Sequence, residues 1–243
     1  MTMPHLAQLT FETDGAPLAD SALIRTVFER AAASLEKEWG VEIPLPVTIV
    51  VLSNENFRAL AEGPHDPALW KYCFLMCDPP ANRVYLNTDL FTVVPHDAEA
   101  MIKHETAHIV LWHLVGNKDA YHSSYFLAEG TAGLDGATER LINKIKKEKI
   151  ENIPDPLTLD SAARSKAAGG DTNREPFTEQ LGELVIVSAV EFLRTRHGEK
   201  KVLEFYQHMR SEKSLEDVYG IVCGESLKKV FKEWEESIKT QIA

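Results

Sequence analysis

The chain has few cysteines and no long hydrophobic run. Cys73, Cys77 and Cys223 make an odd number in 243 residues, which argues against a disulfide framework and favours a reducing compartment. Cys73 and Cys77 have no second pair nearby, so we interpret them as buried strand residues rather than metal ligands. No stretch approaches the roughly eighteen apolar residues of a membrane span, and residues 1–8 lack the features of a signal peptide. We therefore expect a cytoplasmic protein with no membrane partner.

Positive charge is also scarce. Lysine and arginine number 26 against 37 aspartates and glutamates, a net charge of −11, so we expect no nucleic-acid partner. The one basic cluster, at residues 144–149, is interleaved with Ile145 and Glu148, which favours a solvated helix end over a binding patch. With 44% hydrophobic and 26% charged residues, the composition is typical of a soluble globular protein with a sizeable core.

Side-chain periodicity predicts strands and helices in the first half of the chain. We expect strands at residues 8–13, 46–52, 71–76 and 83–88, and helices at 17–39, 54–61 and 97–114. The unbroken β-branched run at 46–52 predicts a strand buried on both faces.

The second half is predicted to be helical. We expect helices at residues 124–132, 181–196, 199–210, 214–222 and 225–240, with Ser214 as a helix-start signature. The polar stretch 150–177, which contains prolines and glycines, is predicted to be a surface loop. The fold class is therefore α+β: a small mixed sheet with helices in residues 1–115, then a mainly helical half in residues 116–243.

The clearest motif is His104-Glu105-Thr106-Ala107-His108, inside the predicted helix 97–114. Residues four apart on a helix lie about one turn apart on the same face, so both imidazoles can reach one metal ion. Glu105 can then approach a water molecule bound to that metal. Two histidine ligands and a glutamate base are the zinc-protease arrangement, which normally requires a third protein ligand.

Some candidates for the third ligand fail on spacing. His113 lies nine residues beyond His104, about half a helical circumference away, so we interpret it as a surface or packing residue. Leu111 and Leu114 stand where the metzincin pattern requires glycine and histidine, which excludes that pattern.

Two candidates stay open, of which we favour Glu129. His122 lies on the connection after the helix and could bend back to the metal. Glu129 lies on the following predicted helix among apolar neighbours, a poor setting for a solvated glutamate. Gly130, next to it, would allow two helices to approach closely.

The segments His104–His108 and Phe126–Ala132 resemble the gluzincin branch of zinc metallopeptidases, and most closely the peptidase MA-like group. Segments near the C-terminus, at residues 191–198, 216–220 and 227–234, are similar to that group's closing helices. The resemblance implies a zincin-like, thermolysin-like catalytic core. In such a core an edge strand borders the cleft, the metal helix lies beneath it, and a helical half supplies the glutamate ligand. Residues 1–115, with the active-site helix, and residues 116–243 would then form one catalytic unit with the cleft between them.

The implied function is zinc-dependent hydrolysis of a peptide or protein substrate. One Zn²⁺ ion would be held by His104, His108 and Glu129, and Glu105 would activate the zinc-bound water. Asp135 is a candidate hydrogen-bond partner for the second ring nitrogen of a ligand histidine.

The donor that stabilises the oxyanion is open. The predicted helix 181–196 has no tyrosine, where the family often carries one. Tyr125, His122 and His197 are the substitutes. The missing tyrosine motivates a second hypothesis, a catalytically weak or inactive zincin-fold protein with a binding or regulatory role. A third is another type of zinc hydrolase.

Overall fold

A computed structural model describes residues 9–13, 21–43, 46–61, 75–89, 98–115, 125–133, 136–160, 179–209 and 214–242. Across them the protein is α+β, mostly helical with a small four-stranded sheet. Backbone contacts divide the chain into two compact units, residues 1–113 and 114–243. Among the described residues, none of the helices has the length and apolar character needed to cross a membrane.

The first unit contains the mixed sheet. Its strands are β1 (Leu9–Thr13), β2 (Val47–Leu52), β3 (Leu75–Asp78) and β4 (Arg83–Asn87), in the order β1-β2-β4-β3. β2 runs parallel to both β1 and β4, whereas β3 pairs antiparallel with β4 at the edge. The predicted mixed sheet is therefore confirmed.

Strand β2 lies at the centre of this unit. Its consecutive residues Ile49, Val50 and Val51 are all buried. Because successive side chains of a strand point to opposite faces, the sheet is covered on both sides there. The interpretation of the β-branched run as a doubly buried strand is confirmed.

Strand β3 extends two residues beyond its predicted end at residue 76. It is described over Leu75–Asp78, and residues 71–74 lie outside the described part of the chain. A 3-10 turn at Pro79–Ala81 connects β3 to β4, with Asn82 in the left-handed conformation. This tight hairpin pairs Asp78 with Arg83. Pro79 and Pro80 therefore belong to the turn itself.

Three helices accompany the sheet: α1 (Ser21–Trp39), α2 (Asn54–Ala61) and α3 (Ala98–Val115), whose last two residues belong to the second unit. The helix predicted at 97–114 is confirmed as α3. Two ion pairs join α3 to α1, Glu99 with Arg30 at 2.8 Å and Lys103 with Glu38 at 2.7 Å. Exposed pairs contribute only about 0–1 kcal/mol each, so they orient α3 more than they stabilise it.

The second unit is helical in the residues described. Its helices are α4 (Tyr125–Ala132), α5 (Ala137–Glu148), α6 (Glu179–His197), α7 (Glu199–His208), α8 (Leu215–Cys223) and α9 (Leu227–Ile242). Helix α6 packs against α4, α5, α7 and α9, which explains its almost continuous apolar sequence. The predicted helix-start role of Ser214 is confirmed, since it forms a capping box with Asp217.

The start of helix α5 is set by a distant residue. Both oxygens of Glu191, on α6, accept hydrogen bonds there: from the backbone N–H of Gly136 at 2.9 Å, and from the Thr138 backbone N–H and hydroxyl at 2.9 and 2.5 Å. The first N–H groups of a helix have no partner within it, and here a carboxylate from another helix satisfies two of them. The basic cluster falls at the opposite end, where Lys146, Lys147 and Lys149 are exposed.

The prediction of a surface loop at 150–177 is wrong for its first part. Residues 156–160 form a helical turn, Pro154 and Pro156 are buried, and Asp160 is 0% exposed. Leu159 lies close to Gly182 of α6. The segment is therefore partly buried and lies beside α6 at Leu159, while Asp155 and Thr158 stay exposed. Residues 161–177 lie outside the described part of the chain.

Candidate metal centre

Helix α3 places the two histidines of the motif one turn apart. His108 is buried and His104 is half-buried. Their Nε2 atoms are 3.1 Å apart, and the rings are nearly perpendicular, at 84°. Buried residues 106, 107 and 109–111 surround the pair on the same helix. The ring nitrogens therefore converge in a setting where few water molecules compete for them.

Helix α4 carries Glu129 in an apolar setting. The side chain is half-buried, while its neighbours Leu127, Ala128 and Gly130 are buried. A Cβ atom on Gly130 would lie far inside van der Waals contact with Val190 Cγ2, and 3.3 Å from the carbonyl oxygen of Ile186. The expectation that this glycine permits a close helix approach is confirmed, and the partner is α6.

His104, His108 and Glu129 form a group that could hold a metal ion. One ligand atom from each residue lies within 4.8 Å of the others. Two ligands placed tetrahedrally at about 2.0–2.1 Å from zinc are about 3.3 Å apart, close to the 3.1 Å between the two Nε2 atoms. Two imidazole nitrogens and a carboxylate oxygen suit several first-row divalent metals, zinc among them. The residues present therefore fit such an ion.

Glu105 lies between the two histidines in the sequence of α3 and is half-buried. It is one residue after His104 and three before His108, so its backbone is within one helical turn of both. This placement suits the predicted general base, a role that stays a prediction.

Of the three proposed oxyanion donors, only His197 has a described side chain. His122 lies outside the described residues, as does the side chain of Tyr125, the first residue of α4. Asp135, the proposed hydrogen-bond partner of a ligand histidine, also lies outside them. His197 ends α6, where its Nε2 is 2.6 Å from the Tyr219 hydroxyl and 3.1 Å from Glu225 Oε1. These contacts give the His197 ring a structural role in the second unit. Its role as an oxyanion donor stays a prediction.

His113 has its own partner, away from the ligand pair. Its Nε2 lies 2.6 Å from Asn82 Oδ1, in the turn between β3 and β4. An amide oxygen only accepts, so the imidazole donates. Partial burial lowers the pKa of His113, which favours the neutral ring. The contact agrees with the expected surface or packing role.

Tyr206 is a residue that the sequence reading missed. It lies on α7, is 1% exposed, and its hydroxyl has no hydrogen-bond partner among the described residues. Burial raises the pKa of the Tyr206 phenol, and the negative charge of Glu129 raises it further. An unsatisfied buried hydroxyl costs about 1–3 kcal/mol. In the sequence Tyr206 stands beside apolar residues of a predicted helix, a pattern that indicates a core position and nothing more.

No protein-family model, curated protein or solved structure matches this chain. The resemblance to gluzincins therefore stays a hypothesis, supported by the site residues themselves.

Proposed function

We propose that this protein is a zinc-dependent metallopeptidase with a zincin-like fold. His104, His108 and Glu129 would hold the ion, and Glu105 would act as general base. The observation that carries the proposal is the convergence of the three ligand atoms within 4.8 Å of one another, with a glutamate directly after the first histidine. A structural histidine pair would not require a carboxylate at the same point.

The ligand charges suit hydrolysis. Two neutral imidazoles and one carboxylate would leave a divalent ion with one net positive charge. When bound, zinc supplies Lewis acidity, which polarises a carbonyl group and lowers the pKa of water. His104 and His108 must both present unprotonated Nε2 atoms and keep their protons on Nδ1.

Glu105 would move the proton of the reaction. Its carboxylate would accept a proton from the attacking water as the water oxygen bonds to the carbonyl carbon. It would then deliver that proton to the leaving nitrogen as the C–N bond breaks. The products are a carboxylic acid and an amine.

Metal analysis tests the ligand set. We expect one zinc per chain in the wild type, strong depletion in Glu129→Ala and His108→Ala, and full retention in His113→Ala, the matched histidine control on the same helix. Full zinc retention by Glu129→Ala would refute Glu129 as the third ligand. Purification of the wild type with a different metal would refute zinc as the bound ion.

Digestion of a peptide library tests the activity. We expect wild-type cleavage that falls about 10²- to 10⁴-fold in Glu105→Gln and stays unchanged in Glu99→Gln, a control in the first turn of α3. Undiminished cleavage by Glu105→Gln would refute the role of Glu105 as general base. Zinc binding without cleavage by the wild type would favour the alternative, a binding or regulatory protein.

A further inference from the structure

Helices α4 and α7 of the second unit pack against one another, and each carries one polar side chain that is removed from solvent in whole or in part. Glu129 is the half-buried carboxylate of α4. Tyr206 is the buried phenol of α7, and the negative charge of Glu129 acts on it.

The buried Tyr206 hydroxyl lowers the stability of the folded chain as long as it has no hydrogen-bond partner. It is buried and has no partner among the described residues, whereas the similarly buried Tyr219 has its hydroxyl 2.6 Å from His197. Phenylalanine at position 206 would fill nearly the same space and leave no polar atom unsatisfied. The burial of Tyr206 also places its hydroxyl out of reach of a substrate, so a direct catalytic role does not fit.

A carboxylate that ligates a metal leaves an oxygen to be oriented by a second group, and such groups affect metal affinity strongly. A phenol has the right chemistry, because an O–H donor to a charged oxygen forms a short, strong hydrogen bond. We infer that Tyr206 is a positioning residue that donates a hydrogen bond to Glu129 when the metal is bound. This inference rests on the proposed metal site and names the group that orients its third ligand.

Two measured quantities distinguish a positioning role for Tyr206 from a space-filling one: the metal affinity and the stability of the metal-free chain. Removing an orienting donor weakens metal binding about 10- to 100-fold. Removing a hydroxyl that has no partner among the described residues does not lower the stability of the metal-free chain. If Tyr206 only fills space, replacing it with phenylalanine would leave the metal affinity unchanged.

The experiment measures both properties on the full chain, stripped of metal. Zinc dissociation constants come from competition with a chelating dye, and unfolding midpoints from urea titration without metal. The variants are Tyr206→Phe and the control Thr131→Val, which also removes a buried hydroxyl without a partner among the described residues. Thr131 lies two residues after Glu129, on the opposite side of α4.

We expect Tyr206→Phe to bind zinc about 10- to 100-fold more weakly, with a metal-free unfolding midpoint equal to or above that of the wild type. Thr131→Val should keep the wild-type zinc affinity. Adding zinc should also change the near-ultraviolet tyrosine spectrum of the wild type more than that of Tyr206→Phe.

Wild-type zinc affinity in Tyr206→Phe would overturn the inference while leaving the metal site intact. A lower metal-free midpoint for Tyr206→Phe would also overturn it, since the hydroxyl would then have a partner without metal. A wild type that binds no zinc would overturn the proposed function and this inference together.

Discussion

The contact between Gly130 and α6 makes Gly130→Ala a direct test of the geometry beside Glu129. The added methyl group would overlap Val190 Cγ2 and lie 3.0 Å from Val190 Cβ and 3.3 Å from the Ile186 carbonyl oxygen. Rotating the valine could move Cγ2, but valine has one strongly preferred rotamer in a helix. No rotation moves its Cβ or the backbone oxygen. Helices α4 and α6 must therefore move apart.

The magnitude follows from two opposing effects. Optimal carbon–carbon contacts lie at about 3.5–4.0 Å, so the 3.0 Å approach to Val190 Cβ is short by at least about half an ångström. Overpacking of this kind costs about 1–3 kcal/mol. Replacing glycine by alanine inside a helix gains about 1 kcal/mol. We expect a net loss of up to about 2 kcal/mol in the free energy of unfolding.

Gly182 is the matched control, a glycine on α6 with room for a methyl group. The nearest atom to an added Cβ there is Leu159 Cδ2 at 3.7 Å, an ordinary contact. Gly182→Ala should therefore gain up to about 1 kcal/mol from helix propensity. Urea unfolding at neutral pH measures both variants. If Gly130→Ala proves as stable as Gly182→Ala, the close approach of α4 and α6 is refuted.

A double-mutant cycle identifies the clashing partner. Val190→Ala creates space, so the penalty of Gly130→Ala should shrink in that background. The separation of the helices should also shift Glu129 and weaken zinc binding in Gly130→Ala, but not in Gly182→Ala. Equal penalties in both backgrounds would show that Val190 is not the obstacle.

Two further predictions concern the cap of α5 and the bound metal. Burial raises the pKa of Glu191, but hydrogen bonds from Thr138 and Gly136 outweigh it, so the pKa is lowered overall. The Glu191 carboxylate therefore contributes its full stabilisation above the usual glutamate pKa of about 4.3. This stabilisation is lost as the pH falls through the lowered pKa that Glu191 has in the folded protein. Glu191→Gln should cost about 1–2 kcal/mol in urea unfolding at pH 7 and less in acid; a pH-independent gap would contradict this. Zinc at a hundred times its dissociation constant should stabilise the wild type by about 2.7 kcal/mol, measured by calorimetry, and His113→Ala equally. Glu129→Ala should show a much smaller gain at the same concentration, and an equal gain would rule out its role.

Local sequence patterns correctly predicted the helices and strands in which buried side chains recur with the period of the element. The burial of β2 follows from consecutive β-branched residues, and the helix at 98–115 from its apolar periodicity. The pairing of His104 and His108 needs only the four-residue spacing of a helix. The end of β3 and the helical segment 156–160 were mispredicted. A proline-containing turn sets the end of β3, and Leu159 of the segment lies close to α6.

The sequence by itself therefore determined helix α3, the pairing of its two histidines and the position of Glu105 beside them, because these depend only on spacing along one helix. Tertiary structure decided what depends on distant residues. Glu191 sets the start of α5 across 55 positions of the chain, Val190 explains the glycine beside Glu129, and Tyr206 lies in the field of a carboxylate 77 residues earlier. Periodicity carries information over a few residues, whereas a buried hydroxyl acquires its role only from the helix that packs against it.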